Sequence, residues 1–344
     1  MFIFINYPEE DIVIDNDIRR VIEYALDAHA NGKHIVWMSK KFITVYMEKD
    51  FYEKTDYYLK ILYSLRDTSR EIFRIKNELT FYLEINLGEK NSLYITDKHM
   101  KIGYEKMLDS AYWQPFDIVV ENLTDADLLK LSAQCILIEK EYNRRFSINI
   151  ASQQGGGSTT LNTFENCLNK RPIVLCILDN DKSHPKDDLG NTASRFKDYP
   201  SGPNKYYYLK ILKNREIENI IPYKVYEELA IERKIAISDN FSRLHTHGYR
   251  QYFDHKNGLK KDHALEKDKK LGELYWDKFT KSTACGEWIC RGFGDNIAKT
   301  CYDHMNNKTK QKIKELVDTN QDKEWLELGR LFASWGICSS IKIR

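Results

Sequence analysis

The middle of this chain, residues 113–235, is predicted to form an α/β unit, and three observations predict it. Strand-length apolar runs alternate there with helix-length segments. One run, 172–179 (PIVLCILD), is apolar almost throughout, as a strand covered on both faces must be. The runs also end in polar segments, and in open parallel sheets ligands bind beyond the carboxyl ends of the strands. The fold class expected of the whole is α/β, with a parallel sheet covered by helices on both faces. An α+β N-terminal region (1–112) and a mostly helical C-terminal region (236–344) would flank it.

In the first region, residues 2–7 read as a short strand. Residues 16–30 read as a helix, because Ile18, Val21, Ile22, Tyr24 and Ala25 recur at helical spacing. The β-branched and aromatic stretches 34–38, 42–47, 79–87 and 92–96 read as strands. No catalytic motif stands out here, and the region suits packing, specificity or partner binding. The middle region gives a strand at 117–121, a helix at 124–142, a strand at 146–151 and a glycine-rich turn. A helix at 159–168, the strand 172–179, a polar loop and a strand at 206–212 follow. In the last region 269–281, 288–305, 308–317 and 325–334 suit helices.

With 42% hydrophobic and 30% charged residues, the chain has the make-up of a core-forming protein and not of a disordered one. A net charge of +2 carries no global basic signature, so a nucleic-acid partner has to be argued from local sites. The opening stretch 1–11 lacks the basic segment and cleavage site of a secretion signal, and no apolar run approaches a membrane span. The seven cysteines are scattered, several inside apolar runs, and read as reduced thiols of a cytoplasmic protein. Cys285, Cys290, Cys301 and His304 lack a standard zinc spacing.

The acidic residues carry the chemistry. The first middle strand ends at Glu121, with Asp125 four residues on at the start of a helix, and the third ends Asp179-Asn180-Asp181. If these strands are neighbours, Glu121, Asp125, Asp179 and Asp181 share one pocket. Clustered carboxylates repel one another, and a divalent cation relieves that repulsion. Hard oxygen ligands suit Mg²⁺, Mn²⁺ or Ca²⁺, and two such ions can activate a water and stabilise a leaving oxygen in phosphodiester chemistry. Gly155, Gly156, Gly157 and Ser158 lie between a strand and a helix, where backbone N–H groups can cradle a phosphate; a plain tight turn capped by Ser158 or Thr159 is the competing reading. Lys182, directly after the acidic pair, and Lys256 are the two candidates to stabilise charge on the reacting phosphate. The stretch 243–281 is locally basic, with histidines and aromatics interleaved, and can be either a nucleic-acid contact or a solvated connector.

VVENLTDADLL (119–129) resembles the opening motif of TOPRIM domains, and VLCILDNDK (174–182) resembles their DxD strand. REIENIIP (215–222) is similar to the segment that follows the TOPRIM core in OLD-type nucleases of antiviral defence. The resemblance spans residues 113–225, about a third of the chain. It implies that Glu121 binds metal or acts in acid–base chemistry, that Asp179 and Asp181 bind metal, and that Asp125 fills the second acidic position. Glu216 and Glu218 would complete a second metal site, so that two Mg²⁺ or Mn²⁺ ions are expected. A catalytic lysine, Lys182 or Lys256, is implied too. The implied function is a metal-dependent endonuclease acting on DNA or on RNA such as tRNA, the toxic effector of an antiviral defence system. Two departures stand out. Asn122 replaces the usual glycine after the glutamate, and no GxxxxGK[ST] motif supplies the ATPase that OLD proteins carry. Either a separate ATPase partner provides it, or none is needed. The rival reading is a catalytically silent TOPRIM-fold docking subunit of an ATPase complex. A homodimer is the default assembly.

Overall fold

The computed structural model describes residues 1–7, 13–48, 55–171 and 173–343. Residues 8–11 of the opening stretch and Pro172, where the expected strand 172–179 begins, lie outside them. The N-terminal elements are β1 (Phe2–Asn6), α1 (Asn16–Ala30), β2 (Ile35–Trp37), α2 (Lys40–Glu48), α3 (Asp56–Ile75), β3 (Tyr82–Asn86), β4 (Leu93–Ile95) and β5 (His99–Gly103). Next come β6 (Asp117–Val120), α4 (Leu123–Glu139), β7 (Phe146–Ile148), β8 (Ala151–Gln154), α5 (Thr160–Lys170), β9 (Val174–Leu178), α6 (Asn191–Ser194), β10 (Gly202–Asn204) and β11 (Tyr207–Ile211). The chain continues through α7 (Tyr223–Ile231), α8 (Asp239–Thr246), β12 (Gly258–Lys260), α9 (Lys261–Leu271), α10 (Asp277–Thr280) and β13 (Trp288–Arg291). It finishes with α11 (Ile297–Asn306), α12 (Lys310–Leu316), α13 (Lys323–Gly336) and β14 (Ile337–Ser339).

The fold is α/β. The middle sheet has the order β10-β11-β9-β6-β8, parallel except for the edge strand β10. Strand side chains alternate between its faces. Val119, Val174, Cys176 and Leu178 pack with Phe164 and Cys167 of α5 on one face. Ile118, Val120, Leu175 and Ile177 belong to the main core on the other, together with residues of α4 and α13. Both faces are therefore helix-covered, which is why 174–178 is apolar at every position. α13 lies close against α4: a Cβ on Gly329 would meet Ser132 Oγ at 2.5 Å, and Ser132 donates to the Trp325 carbonyl.

Several expectations are corrected. The N-terminal region, expected as α+β, is itself built on a mainly parallel sheet, β2-β1-β3-β5-β4, in which only β4 runs antiparallel. Residues 42–47, expected as a strand, lie in α2; Phe42, Ile43 and Tyr46 are its buried face, and Ser39 Oγ accepts the Phe42 N–H. The expected strand 146–151 divides. β7 pairs antiparallel with β14, and the strand that joins the main sheet is the polar β8. The expected helix 288–305 is β13 followed by α11, because Gly292 passes within 2.1 Å (built Cβ) of the Lys256 carbonyl and Gly294 turns with φ +88°. The expected helix 269–281 starts earlier, as α9, and stops at Gly272 (φ +66°), where α10 is a separate short turn. Among the described residues no helix is long and apolar enough to cross a membrane.

Candidate active site

The chain leaves β6 toward β8 on one side and leaves β9 toward β11 on the other. The crevice at the carboxyl ends of β6 and β9 is the point where the connections part, and ligands bind open α/β sheets at such points. Glu121 follows β6 and Asp179 follows β9, with Val120 registered beside Ile177. The Asp179 N–H donates to Glu121 Oε1 at 3.2 Å.

Asn122 has extended backbone angles (φ −131°, ψ 145°) that any residue adopts, so glycine is not required there. Asn122 Oδ1 accepts from Thr124 N–H at 3.1 Å, and Asp125 Oδ2 accepts from Asn122 N–H at 3.0 Å. This capping box opens α4 and fixes Asp125 at a helix N-terminus, where a negative charge is favoured.

The loop bearing Asp181 is stitched to the segment that carries the last two glutamates. The N–H groups of Asn180 and Asp181 donate to the Arg215 carbonyl at 3.2 and 2.9 Å. The buried Asn180 amide donates to the Leu212 and Lys213 carbonyls. Asp181 itself has a left-handed backbone, φ 56°, and its side chain packs on Gly190, where a Cβ would lie 2.3 Å from Asp181 Cβ and Oδ2.

Glu216 and Glu218 sit in the turn after β11. Asn219 Oδ1 accepts the Glu216 N–H at 2.9 Å, and its amide donates to the Arg250 and Phe253 carbonyls. This ties the turn to the loop ahead of β12, which delivers Lys256. Lys256 Nζ falls 3.1 Å from Glu218 Oε1 and 3.4 Å from Glu216 Oε2. Glu218 is 1% exposed, and its other oxygen, Oε2, is buried with no hydrogen-bond partner.

A cleft of about 430 Å³ collects these groups: Glu121, Asp125, Asp179, Asp181, Glu216, Glu218 and Lys256, with Gly156 and Gly157 at one wall. Lys182, Gly155 and Ser158 do not line it. The N–H groups of Gly155 and Gly156 donate to the Val120 and Glu121 carbonyls, so neither serves a ligand. No side-chain cap forms at Thr159, whose hydroxyl donates back to the Gly155 carbonyl. Asp295, Asn296 and Lys299, at the start of α11, form a wall that the sequence reading missed. Their signal was the GFGDN turn (292–296), hidden inside an expected helix. Cys301 and His304 of the weighed zinc pattern are buried on α11, where His304 pairs with Glu228.

Burial, and next the Glu218 charge, push the Asp125 carboxyl up to about 7, against the Asn122 N–H bond. Glu216 is pushed up to about 7 by burial and then by Glu218, against Lys256 and Arg215. Burial, followed by the surrounding carboxylates, raises Asp179 well above the usual range. Glu121 is raised by burial and by Asp181. Burial works to lower Lys256, but Glu218 and Glu216 outweigh it and the net shift is upward. Among the described residues no three His, Cys, Asp or Glu side chains close up as a finished metal site. The Lys256 ammonium sits between Glu216 and Glu218. The donor set is nonetheless all oxygen, with Oε2 of Glu216 and of Glu218 both buried without a hydrogen-bond partner, and fits a hard divalent cation. Compared with family models, curated proteins and solved structures, the chain has no match in any of the three.

Proposed function

We propose that the chain is a Mg²⁺- or Mn²⁺-dependent nuclease that hydrolyses phosphodiester bonds in DNA or RNA, built on a TOPRIM-like core. One observation carries the reading: six carboxylates from two adjacent strand ends and the turn after a third strand share one cleft, faced by a single bridging ammonium. Metal ions held by Glu121, Asp125, Asp179, Asp181, Glu216 and Glu218 would supply a polarised water and neutralise phosphate charge. The chain's own groups do the rest. Burial and the Glu218 charge raise Asp125 and Glu216 to about 7 in the metal-free cleft, and a bound cation would hold both as carboxylates. Lys256, held charged, faces the place where negative charge builds on a bound phosphate. Lys182 lies outside the cleft and is the weaker of the two lysine candidates. The role as a toxic antiviral effector, the cytoplasmic location, a homodimer and a separate ATPase partner belong to the same proposal.

A second reading has one observation in its favour. Lys256 already bridges Glu216 and Glu218, so the cleft can serve as a structural ion cluster in a silent docking subunit. The deciding experiment incubates the protein with plasmid, single-stranded DNA and tRNA in Mg²⁺, Mn²⁺ or EDTA, beside Glu121→Ala and Asp179→Ala. Cleavage abolished by EDTA and by both substitutions is expected. Folded protein that neither cleaves nor binds Mn²⁺ in calorimetry refutes the nuclease and leaves the docking subunit.

A further inference from the structure

A second cavity, of about 380 Å³, lies directly behind the carboxylate cleft. Three segments form the wall between them, each giving one residue to each side. Asp181, Glu216 and Lys256 face the cleft, whereas Ser183, Arg215 and Asp254 face the cavity. The wall is rigid. Arg215 donates to Asp254 at 2.9 Å, its Nε lies 3.7 Å from Glu216, and Asp254 accepts the N–H groups of Lys256 and Asn257.

The other walls combine aromatic and cationic groups. Trp276 is fully buried, its indole N–H donating to the Ser183 carbonyl, while Tyr252 is half-buried. Above them α9 lays one face across the opening: His263, Glu266, Lys267 and Lys270, at i, i+3, i+4 and i+7. His263, Glu266 and Lys270 are exposed and Lys267 is half-buried, so this is the polar, solvent-side face of α9, set at the rim of the cavity. Lys267 is bound to Asp187 at 2.6 Å. Among the described residues neither Lys270 nor His263 has an ion-pair partner, so both are free to meet an anion. The Tyr252 ring beside the Lys270 ammonium, which no carboxylate among the described residues holds, in a space of small-molecule size that Glu266 and Asp254 also line, matches a flat ring carrying one phosphate.

We propose that this cavity binds a single nucleotide unit, its base against Tyr252 and its phosphate at Lys270 and His263. The inference rests on the nuclease reading for its biological sense, because it gives that enzyme a recognition pocket behind the reaction cleft. The binding itself requires no cleavage. The unit can be a free mononucleotide or one residue of a nucleic-acid chain.

The test titrates the full chain, in EDTA, with AMP, GMP, CMP, UMP and inorganic phosphate by calorimetry. At least one mononucleotide should bind with a Kd of about 1 mM or tighter. Tyr252→Leu and Lys270→Glu should each weaken it at least about tenfold, and Asp179→Asn should leave it within roughly twofold. A short oligonucleotide that displaces the mononucleotide identifies a unit of a chain, whereas one that does not identifies a free nucleotide. Wild type that binds none of the four overturns the proposal. So does binding indifferent to both variants, or inorganic phosphate binding as tightly as the nucleotides. Nucleotide binding by a protein that neither cleaves nor binds Mn²⁺ would sink the nuclease reading and keep this one.

Discussion

Gly190→Ala tests the architecture of the cleft at its tightest point. Gly190 has ordinary backbone angles (φ −61°, ψ 168°), so alanine costs no backbone strain there. Its new Cβ would lie 2.3 Å from both Cβ and Oδ2 of Asp181, where ordinary contact begins near 3.4 Å. Asp181 cannot retreat freely, because its N–H is bound to the Arg215 carbonyl and its backbone is already left-handed. Gly190 is tied in turn to the Asn180 carbonyl at 2.9 Å. One side has to yield by about 1 Å, and a misplacement of that size in a reacting constellation costs on the order of a hundredfold in rate. Overpacking of this kind destabilises by about 1–3 kcal/mol. The assay pairs a thermal melt with Mn²⁺ calorimetry on wild type and variant. A lowered Tm with Mn²⁺ affinity reduced tenfold or more, of order 1.4 kcal/mol, is the expected result. A variant with wild-type Tm and wild-type Mn²⁺ binding would refute the claim that Gly190 exists to seat Asp181.

Lys256→Met removes the ammonium between Glu216 and Glu218 while keeping the stem. The metal-free protein should lose roughly 1–3 kcal/mol, discounted for the partial exposure of the lysine, and Mn²⁺ should restore more stability than it gives wild type. Melts with and without Mn²⁺ read the difference; equal Tm values would mean the bridge is worth nothing. Asn219→Ala deletes three buried hydrogen bonds, one within the glutamate turn and two that join it to the loop bearing Lys256, for about 3 kcal/mol in urea unfolding. His29 is buried and neutral, its Nδ1 accepting from Val36 N–H, and burial lowers its pKa from 6.5 to about 4. The folded state thus binds fewer protons than the unfolded one between these values, so stability should fall as pH drops from 6.5 to 4, by roughly 3 kcal/mol from this group. His29→Asn should flatten that slope, and an unchanged slope would assign the loss elsewhere.

The parts of the fold that could be read in the sequence are those whose signal is local. Residues 174–178 are apolar on both faces because α5 covers one and α4 the other, and that leaves a continuous run. Asp125 announces a helix start because it closes a capping box three residues after Asn122. The misreadings have physical causes. β8 (ASQQ) is an edge strand with polar side chains, so the neighbouring apolar stretch 146–148 took its place. In α2, Phe42, Ile43 and Tyr46 suit a strand by composition, and only their tertiary burial reveals one helical face. The choice between Lys182 and Lys256 could not be made from spacing. Lys182 is next to Asp181 in the chain but off the cleft, whereas Lys256 arrives from a distant loop held by Asn219 and Asp254.

The packing of α13 on α4 has a consequence for the order of assembly. The two helices, Leu123–Glu139 and Lys323–Gly336, lie far apart in sequence, so closing that contact is slow relative to local structure. Synthesis delivers the six carboxylates first, the Lys256 counter-charge afterwards, and the helix that covers the back of the sheet near the end. A nascent chain that has emerged only through β11 therefore carries the repelling carboxylates Glu121, Asp125, Asp179 and Asp181 before Lys256 exists to face them. The cleft's carboxylates are thus made before the loop that delivers Lys256 and before Asp295, Asn296 and Lys299, at the start of α11, which complete its wall.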